Sequence, residues 1–329
     1  MLKLINPDVA MTISPPSSNQ DAGLRLLLAA PRGFCAGVTR AIDAVRDALH
    51  LHGAPVYVRR AIVHNLAVVA ELEAEGAIFV QELDEVPEGA VVMFSAHGVS
   101  PAIKKDAADR GLKAYDAVCP LVSKVHNEVR RHQSAGRTVI LIGHHGHPEI
   151  MGTLGHADRD NCFVVDSPSA VAELPVHADA PTAYAVQTTY SVEDARQIVE
   201  ELRARFADLA EPSSSDICYA TTNRQQAIGE LAAEADAVIV VGERISSNAC
   251  RLAEVAGDVC GSVQLVAGAE QIDWSLVPAS GTIGITAAAS TPERSVQEVV
   301  SAIRQRHGGI VSEYEVARET AVFKPLKVA

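Results

Sequence analysis

The chain has 329 residues, of which 48% are hydrophobic and 21% charged, enough apolar material to bury the cores of two or three domains. Its net charge of −13, from 41 acidic against 28 basic residues, excludes a general nucleic-acid surface, which needs clustered Lys and Arg. No apolar run approaches the roughly 20 residues that span a bilayer, which excludes a membrane-spanning helix. Residues 1–23, with Pro15, Pro16, Ser17 and Ser18, read as a disordered leader and not as a signal peptide. Six cysteines in a large chain without such a signal are expected as reduced thiols or metal ligands, which points to the cytoplasm.

Apolar, β-branched runs alternate with helix-period stretches along the chain. Strands are predicted at 26–30, 56–59, 77–80 and 91–95, with helices at 38–50 and 65–75. A helix at 121–133 follows, then strands at 138–142, 163–166 and 183–187 and a helix at 192–206. The last part carries a helix at 224–235, strands at 237–241, 263–266 and 282–286, and a helix at 292–307. This alternation is the pattern of strand-helix-strand units around parallel sheets.

Cys35, Cys119 and Cys218 each stand at the start of a helical segment and open three blocks of similar size. The expected organisation is a leader (1–23), three similar α/β domains (24–118, 119–217 and 218–309) with small parallel sheets arranged around one centre, and a C-terminal tail (310–329). A single large doubly wound sheet is the alternative. Three thiolates from three segments can hold an iron-sulfur cluster and leave one iron open, although isolated cysteines are also common core residues. Cys162, Cys250 and Cys260 lie in or beside apolar patterns and read as such core thiols.

Ligands of open α/β sheets bind beyond the carboxyl ends of strands, where loops enter helices. The polar residues of this chain gather there: His64, His97, His147 with Glu149, Thr188 with Thr189, Ser246 to Asn248, and Ser290 with Thr291. Hydroxyls, imidazoles and helix-end amides suit a diphosphate. The same Ser and Thr positions also serve as ordinary helix caps. No Walker-type or dinucleotide-type glycine loop occurs, which argues against a nucleotide-driven reaction. His144, His145, His147 and Glu149 offer zinc-type donors, but Gly146 and Pro148 break the one-face helical spacing of a zinc hydrolase. Glu149 at a helix start reads instead as a proton source. His50, His52, His132, His177 and His307 read as surface or hydrogen-bonded residues.

Taken together, the segments around Cys35, His64, His97, Cys119, His147 to Glu149, Gln187 to Thr189, Cys218 to Gln225 and Ser246 to Asn248 resemble the LytB family. Its members are reductases of 4-hydroxy-3-methylbut-2-enyl diphosphate, acting at the last step of the non-mevalonate isoprenoid pathway. The resemblance covers nearly all of residues 26–307. It implies three α/β domains around a [4Fe-4S] cluster bound by Cys35, Cys119 and Cys218. It also implies diphosphate contacts from His64, His97, His147, Ser246, Ser247, Asn248 and Ser290, a substrate hydroxyl contact from Thr188, and a proton relay through Glu149. A ferredoxin or flavodoxin type electron donor follows from the same likeness, with no nucleic acid or membrane partner.

Departures from the family pattern occur at Ala288, where glycine is common, at His145 and Met151 beside the Gly-His-Pro-Glu segment, and at Ala249 to Arg251. They touch none of the implied ligands. A zinc-dependent hydrolase and a non-catalytic iron-sulfur binding protein are the competing classes.

Overall fold

The computed structural model describes residues 23–329, so the leader expected at 1–23 lies almost wholly outside the described residues. The elements run β1 (Arg25–Ala30), α1 (Ala36–His52), β2 (Val56–Arg59), α2 (Leu66–Glu75), β3 (Ala77–Val80), β4 (Val91–Phe94), α3 (Pro101–Asp109) and β5 (Lys113–Asp116). Next come α4 (Pro120–Ser134), β6 (Thr138–Ile142), α5 (Pro148–Leu154), β7 (Cys162–Val165), α6 (Pro168–Ala172), β8 (Thr182–Val186), α7 (Val192–Arg205) and β9 (Leu209–Ala210). The chain ends with α8 (Tyr219–Ala232), β10 (Ala237–Val241), α9 (Ser247–Gly257), β11 (Val263–Val266), β12 (Thr282–Ala287), α10 (Glu293–His307) and β13 (Ile310–Glu315).

Three all-parallel sheets result, in the orders β3-β2-β4-β5, β7-β6-β8-β9 and β11-β10-β12-β1-β13. All three share one plan. The first strand of a unit pairs with the second on one side and the third on the other, and a fourth strand lies outside the third. Central strands such as β8, β10 and β12 are buried along their whole length, as sheets with both faces covered require.

Two segments pair differently from the expected blocks. The strand at 26–30 belongs to the third sheet, where β1 sits between β12 and β13. Its buried Leu26, Leu27 and Leu28 pack with Ile283, Ile285 and the helices flanking that sheet. The tail from 310 likewise contains a strand, β13, paired with β1 over six residues. Both pairings close over most of the chain length, so local pattern cannot reveal them. β5 and β9 escape the pattern reading because they are short and only partly buried. Helix α8 begins five residues before the predicted 224, because the Cys218 sulfur accepts from the Thr221 N–H at 3.4 Å and caps it.

The first and second units meet where the loop after β4 lies against α4 and α5. Gly98 has φ +77°, and a Cβ there would stand 2.7 Å from His126 Cε1, so only glycine lets the loop approach. His126 stacks on His156 with ring centroids 4.1 Å apart, and His156 Nε2 bonds the Val99 carbonyl at 3.1 Å. Burial, then repulsion from His156, Lys104 and Arg130, pushes the His126 pKa down from 6.5 to about 3. The unfolded chain therefore binds a proton that the folded His126 refuses as pH falls below 6.5, and stability is lost in that direction. Urea unfolding between pH 5 and 6.5 should show the native chain losing up to about 1.4 kcal/mol more per pH unit than His126→Leu. Parallel pH profiles for the two proteins would contradict this.

Candidate functional site

Each sheet directs the carboxyl ends of its first and third strands toward one cavity. The loops after β2 and β4 bring His64 and His97, those after β6 and β8 bring His147, Glu149 and Thr188, and those after β10 and β12 bring Ser246, Ser247, Asn248 and Ser290. Cys35, Cys119 and Cys218 line the same cavity, so the twelve site residues that the family resemblance implies converge there, with Thr189 but without Thr291.

The three cysteines occupy equivalent places. Cys35 is the N-cap of α1, Cys119 of α4 and Cys218 of α8, each in extended conformation after the fourth strand of its sheet. All are free thiols. A Cβ on Gly37 would come within 2.8 Å of Cys119 Sγ and 3.8 Å of Cys35 Sγ, so the absence of a side chain at Gly37 leaves the space between those two sulfurs clear. Burial, with mutual repulsion among the cysteines, raises the pKa of Cys119 to about 12 and of Cys218 to about 11. Such thiols ionise readily only when a cation joins them.

Among the described residues no three His, Cys, Asp or Glu side chains are grouped closely enough to hold a single metal ion. Three thiols sharing a cavity at wider spacing suit a polynuclear group such as an iron-sulfur cluster. The zinc alternative at 144–149 lacks its donor set: His144 packs on Tyr190 at 4.8 Å, His145 is exposed, and His147 caps α5. Of the other cysteines, Cys162 and Cys260 are buried as expected, whereas Cys250 is only partly so.

Three imidazoles cluster in the same cavity, with ring centroids 4.2 Å apart for His64 and His97, 5.5 Å for His64 and His147, and 5.9 Å for His97 and His147. Burial lowers all three pKa values, to about 3 for His147. His147 Nδ1 accepts the Glu149 N–H at 3.2 Å, so the neutral ring carries its proton on Nε2. Ser95 Oγ lies 3.2 Å from His97 Nδ1.

Several polar atoms here are buried without partners: His64 Nε2, Ser247 Oγ and Asn248 Nδ2. Unpaired buried donors are costly unless a ligand satisfies them. Asn248 also accepts the Ala289 N–H at 3.0 Å, and Ser290 Oγ donates to the His64 carbonyl at 3.1 Å, which ties the third unit's loops to the first. The set brings polar side chains from three units into one cavity.

Glu149 is 2% exposed. The Thr188 N–H donates to Oε1 at 2.6 Å and the Thr188 hydroxyl to Oε2 at 2.8 Å. Burial dominates over these bonds, and with the nearby Asp216 charge it raises the Glu149 pKa from 4.5 to about 7. Glu149 can therefore hold a proton near neutral pH and give it up. The sequence reading assigned no role to Asp216, which is buried and bonded by Lys124 Nζ and the Val186 N–H, each at 3.0 Å. Nor did it assign one to Gln187, whose Oε1 fixes the His144 N–H at 3.0 Å. Gln187 lies in one family-like segment and Asp216 two residues before Cys218, but nothing in the residue types distinguishes a supporting group from a solvent-facing one.

The family profile described as "LytB protein" matches residues 26–304. The chain is 49% identical over 303 residues to 4-hydroxy-3-methylbut-2-enyl diphosphate reductase of Actinobacillus pleuropneumoniae serotype 5b, covering 92% of this chain and 96% of that one. The reductase of the same name from Bordetella pertussis is 52% identical over 284 residues, 86% of this chain and 87% of the relative. Among solved structures, the corresponding Plasmodium falciparum reductase superposes with a TM-score of 0.89 at 37% identity, covering 92% of this chain and 95% of that chain. A second, described as the terminal enzyme of the non-mevalonate pathway, gives 0.62 at 30% identity, covering 86% and 99%. With the family match spanning most of its length and its three-sheet architecture shared with both solved structures, the chain belongs to the LytB family.

Proposed function

We propose that this chain reduces 4-hydroxy-3-methylbut-2-enyl diphosphate to isopentenyl and dimethylallyl diphosphate. The observation that carries the reading is one cavity holding three free thiols, a neutral donor cradle with unpaired atoms, and a carboxyl group poised near neutral pH. Cys35, Cys119 and Cys218 would hold a [4Fe-4S] cluster by three irons, leaving the fourth without a protein ligand. Once bound, the cluster supplies a Lewis-acidic iron for the substrate hydroxyl and a conduit for single electrons.

In the overall reaction the carbon-oxygen bond of the hydroxyl breaks, water leaves, and a carbon-hydrogen bond forms at either end of the allylic unit. Two electrons and two protons are consumed. The electrons come from a one-electron donor of ferredoxin or flavodoxin type. Glu149 delivers a proton to the leaving oxygen through the Thr188 hydroxyl that it accepts from. His64, His97, His147, Ser246, Ser247, Asn248 and Ser290 hold the diphosphate, and the apolar walls at Val63, Ala96 and Val122 exclude water around the reacting carbons. No helix among the described residues is long and apolar enough to cross a membrane. We place the enzyme in the cytoplasm, where free thiols stay reduced. The three α/β units, with β1 and β13 joining the third, serve as the domains that deliver these loops.

Anaerobic purification with iron and sulfide analysis, followed by assay with the hydroxylated diphosphate and a reductant, tests this reading as a whole. Cys35→Ser, Cys119→Ser and Cys218→Ser should each lose the intact cluster, because a hydroxyl is a poor replacement for thiolate. Ser at Cys162, Cys250 or Cys260 should keep it. Full iron content in any of the first three variants would defeat the ligand assignment.

Alanine at His64 or Asn248 should weaken substrate binding by about 1 to 3 kcal/mol for each hydrogen bond lost to the charged diphosphate. Titration against the cluster spectrum measures this, and unchanged affinity in both variants would rule out the cradle. Glu149→Gln should keep the cluster while turnover falls by about 10² to 10⁴, the usual worth of a general acid. Because the native acid titrates near pH 7, native turnover should decline as pH rises through that value, and the variant should lack this limb. Turnover near the native level under saturating reductant would send the proton by another route.

A further inference from the structure

We propose that Arg224 and Arg40 are positioning residues that fasten the C-terminal segment 316–329 to the backbone beside all three cysteines, so that this segment closes the metal centre on the face of Cys35. The inference rests on the cluster reading above and extends it to a part of the chain beyond the family match, which ends at residue 304.

Arg224 is wholly buried. Its Nη1 donates to the Ala220 carbonyl at 2.9 Å and to Glu319 Oε1 at 2.7 Å, and its Nη2 donates to the Gly33 carbonyl at 2.8 Å and to Glu319 Oε2 at 3.2 Å. Gly33 lies two residues before Cys35, and Ala220 two residues after Cys218. One planar guanidinium therefore joins the first turn of α8, which starts at Cys218, to the loop before Cys35 and to a carboxylate from the tail, a geometry that lysine cannot copy. Asn223 Nδ2 reaches the same carboxylate at 3.3 Å.

Arg40 repeats the arrangement at the third cysteine. Its Nη1 donates to the Val118 carbonyl at 3.0 Å, directly before Cys119, and its Nε to the Lys324 carbonyl of the tail at 3.0 Å. Between these two anchors the tail passes over a second cavity, whose walls include Cys35, Tyr219, Val322, Phe323 and Leu326. Leu326 and Val328 then pack on the core beneath α1. Cys35 thus lines both the substrate cavity and this rear cavity, and the tail forms one wall of the latter.

The buried cation gives the fastening its strength. Releasing Glu319 strands the Arg224 guanidinium without a counter-charge, an arrangement folded proteins tolerate poorly. Neither arginine reaches the substrate cavity, so both act through the cysteine loops and not on the substrate.

Anaerobically reconstituted native enzyme, Glu319→Ala, Glu319→Asp and Arg40→Gln are compared for the rate of iron loss to a ferrous chelator, followed by visible absorption. The same four chains without cofactor are compared for trypsin cleavage after Lys327, since Pro325 protects the bond after Lys324, and for thermal midpoint. Glu319→Ala and Arg40→Gln should lose iron at least about tenfold faster and be cut faster, while Glu319→Asp, which keeps the charge, should stay near the native rates. Faster cleavage with native iron retention would overturn the closing role, and unchanged cleavage would overturn the fastening. If Glu319→Ala does not fold, Arg40→Gln decides both points through the second anchor. A native chain that takes up no iron would overturn the cofactor reading and this role with it, but the trypsin comparison would still distinguish a fastened tail from a loose one.

Discussion

Three helix N-termini point at one buried space, and the rest of the molecule is arranged around that constraint. Helices α1, α4 and α8 each begin at a cysteine, so their unpaired N–H groups and the positive ends of their dipoles surround the three sulfurs. No Lys or Arg side chain lines the cavity. The site therefore depends on partial charges of the backbone, which cannot be repositioned without moving whole helices. That accounts for a three-unit construction in which every sheet ends at the same place.

The pairing of β1 with the third sheet follows the same logic. In each unit the cysteine follows the fourth strand of the order: β5 for Cys119, β9 for Cys218 and β1 for Cys35. Placing β1 in the first block, as chain order suggests, would leave the third unit without a cysteine loop and the first with two. The chain instead supplies the third unit's fourth strand from its beginning and covers that strand's outer edge with β13 from its end. The first and third strands of each sheet then flank the crevice where strand order reverses, the usual ligand position in open α/β sheets, and there are three such crevices for one cavity.

How much of this is legible in the residues differs from element to element. Alternation of apolar runs and helical periods places most strands and helices, because burial on both sheet faces leaves continuous apolar stretches such as 237–241. Long-range pairing is not encoded locally, so chain order puts the strand at 26–30 in the first block and 310–315 in a tail, whereas both pair in the third sheet. At the site, residue types at strand ends identify the lining groups, since thiol, imidazole and carboxyl have few reasons to gather there. Supporting groups are harder to recognise. Arg224 and Arg40 look like ordinary helix residues, and only their burial and bonding to Gly33 and Val118 distinguish them.

Protonation state is the property the residue types conceal most completely. Desolvation of one cavity moves its acids and bases in opposite directions, raising Glu149 toward neutrality while lowering His64, His97 and His147. Desolvation disfavours the charged form of each group, so the lining carries little formal charge. A diphosphate entering it would bring the dominant local charge and would favour protonation of the histidines that line its path. The cradle can then strengthen in response to the ligand, using imidazoles instead of the fixed cations that would compete for the thiolates' negative charge. On the proposed reading, a cavity whose lining has no Lys or Arg side chain would hold a diphosphate beside three thiolates.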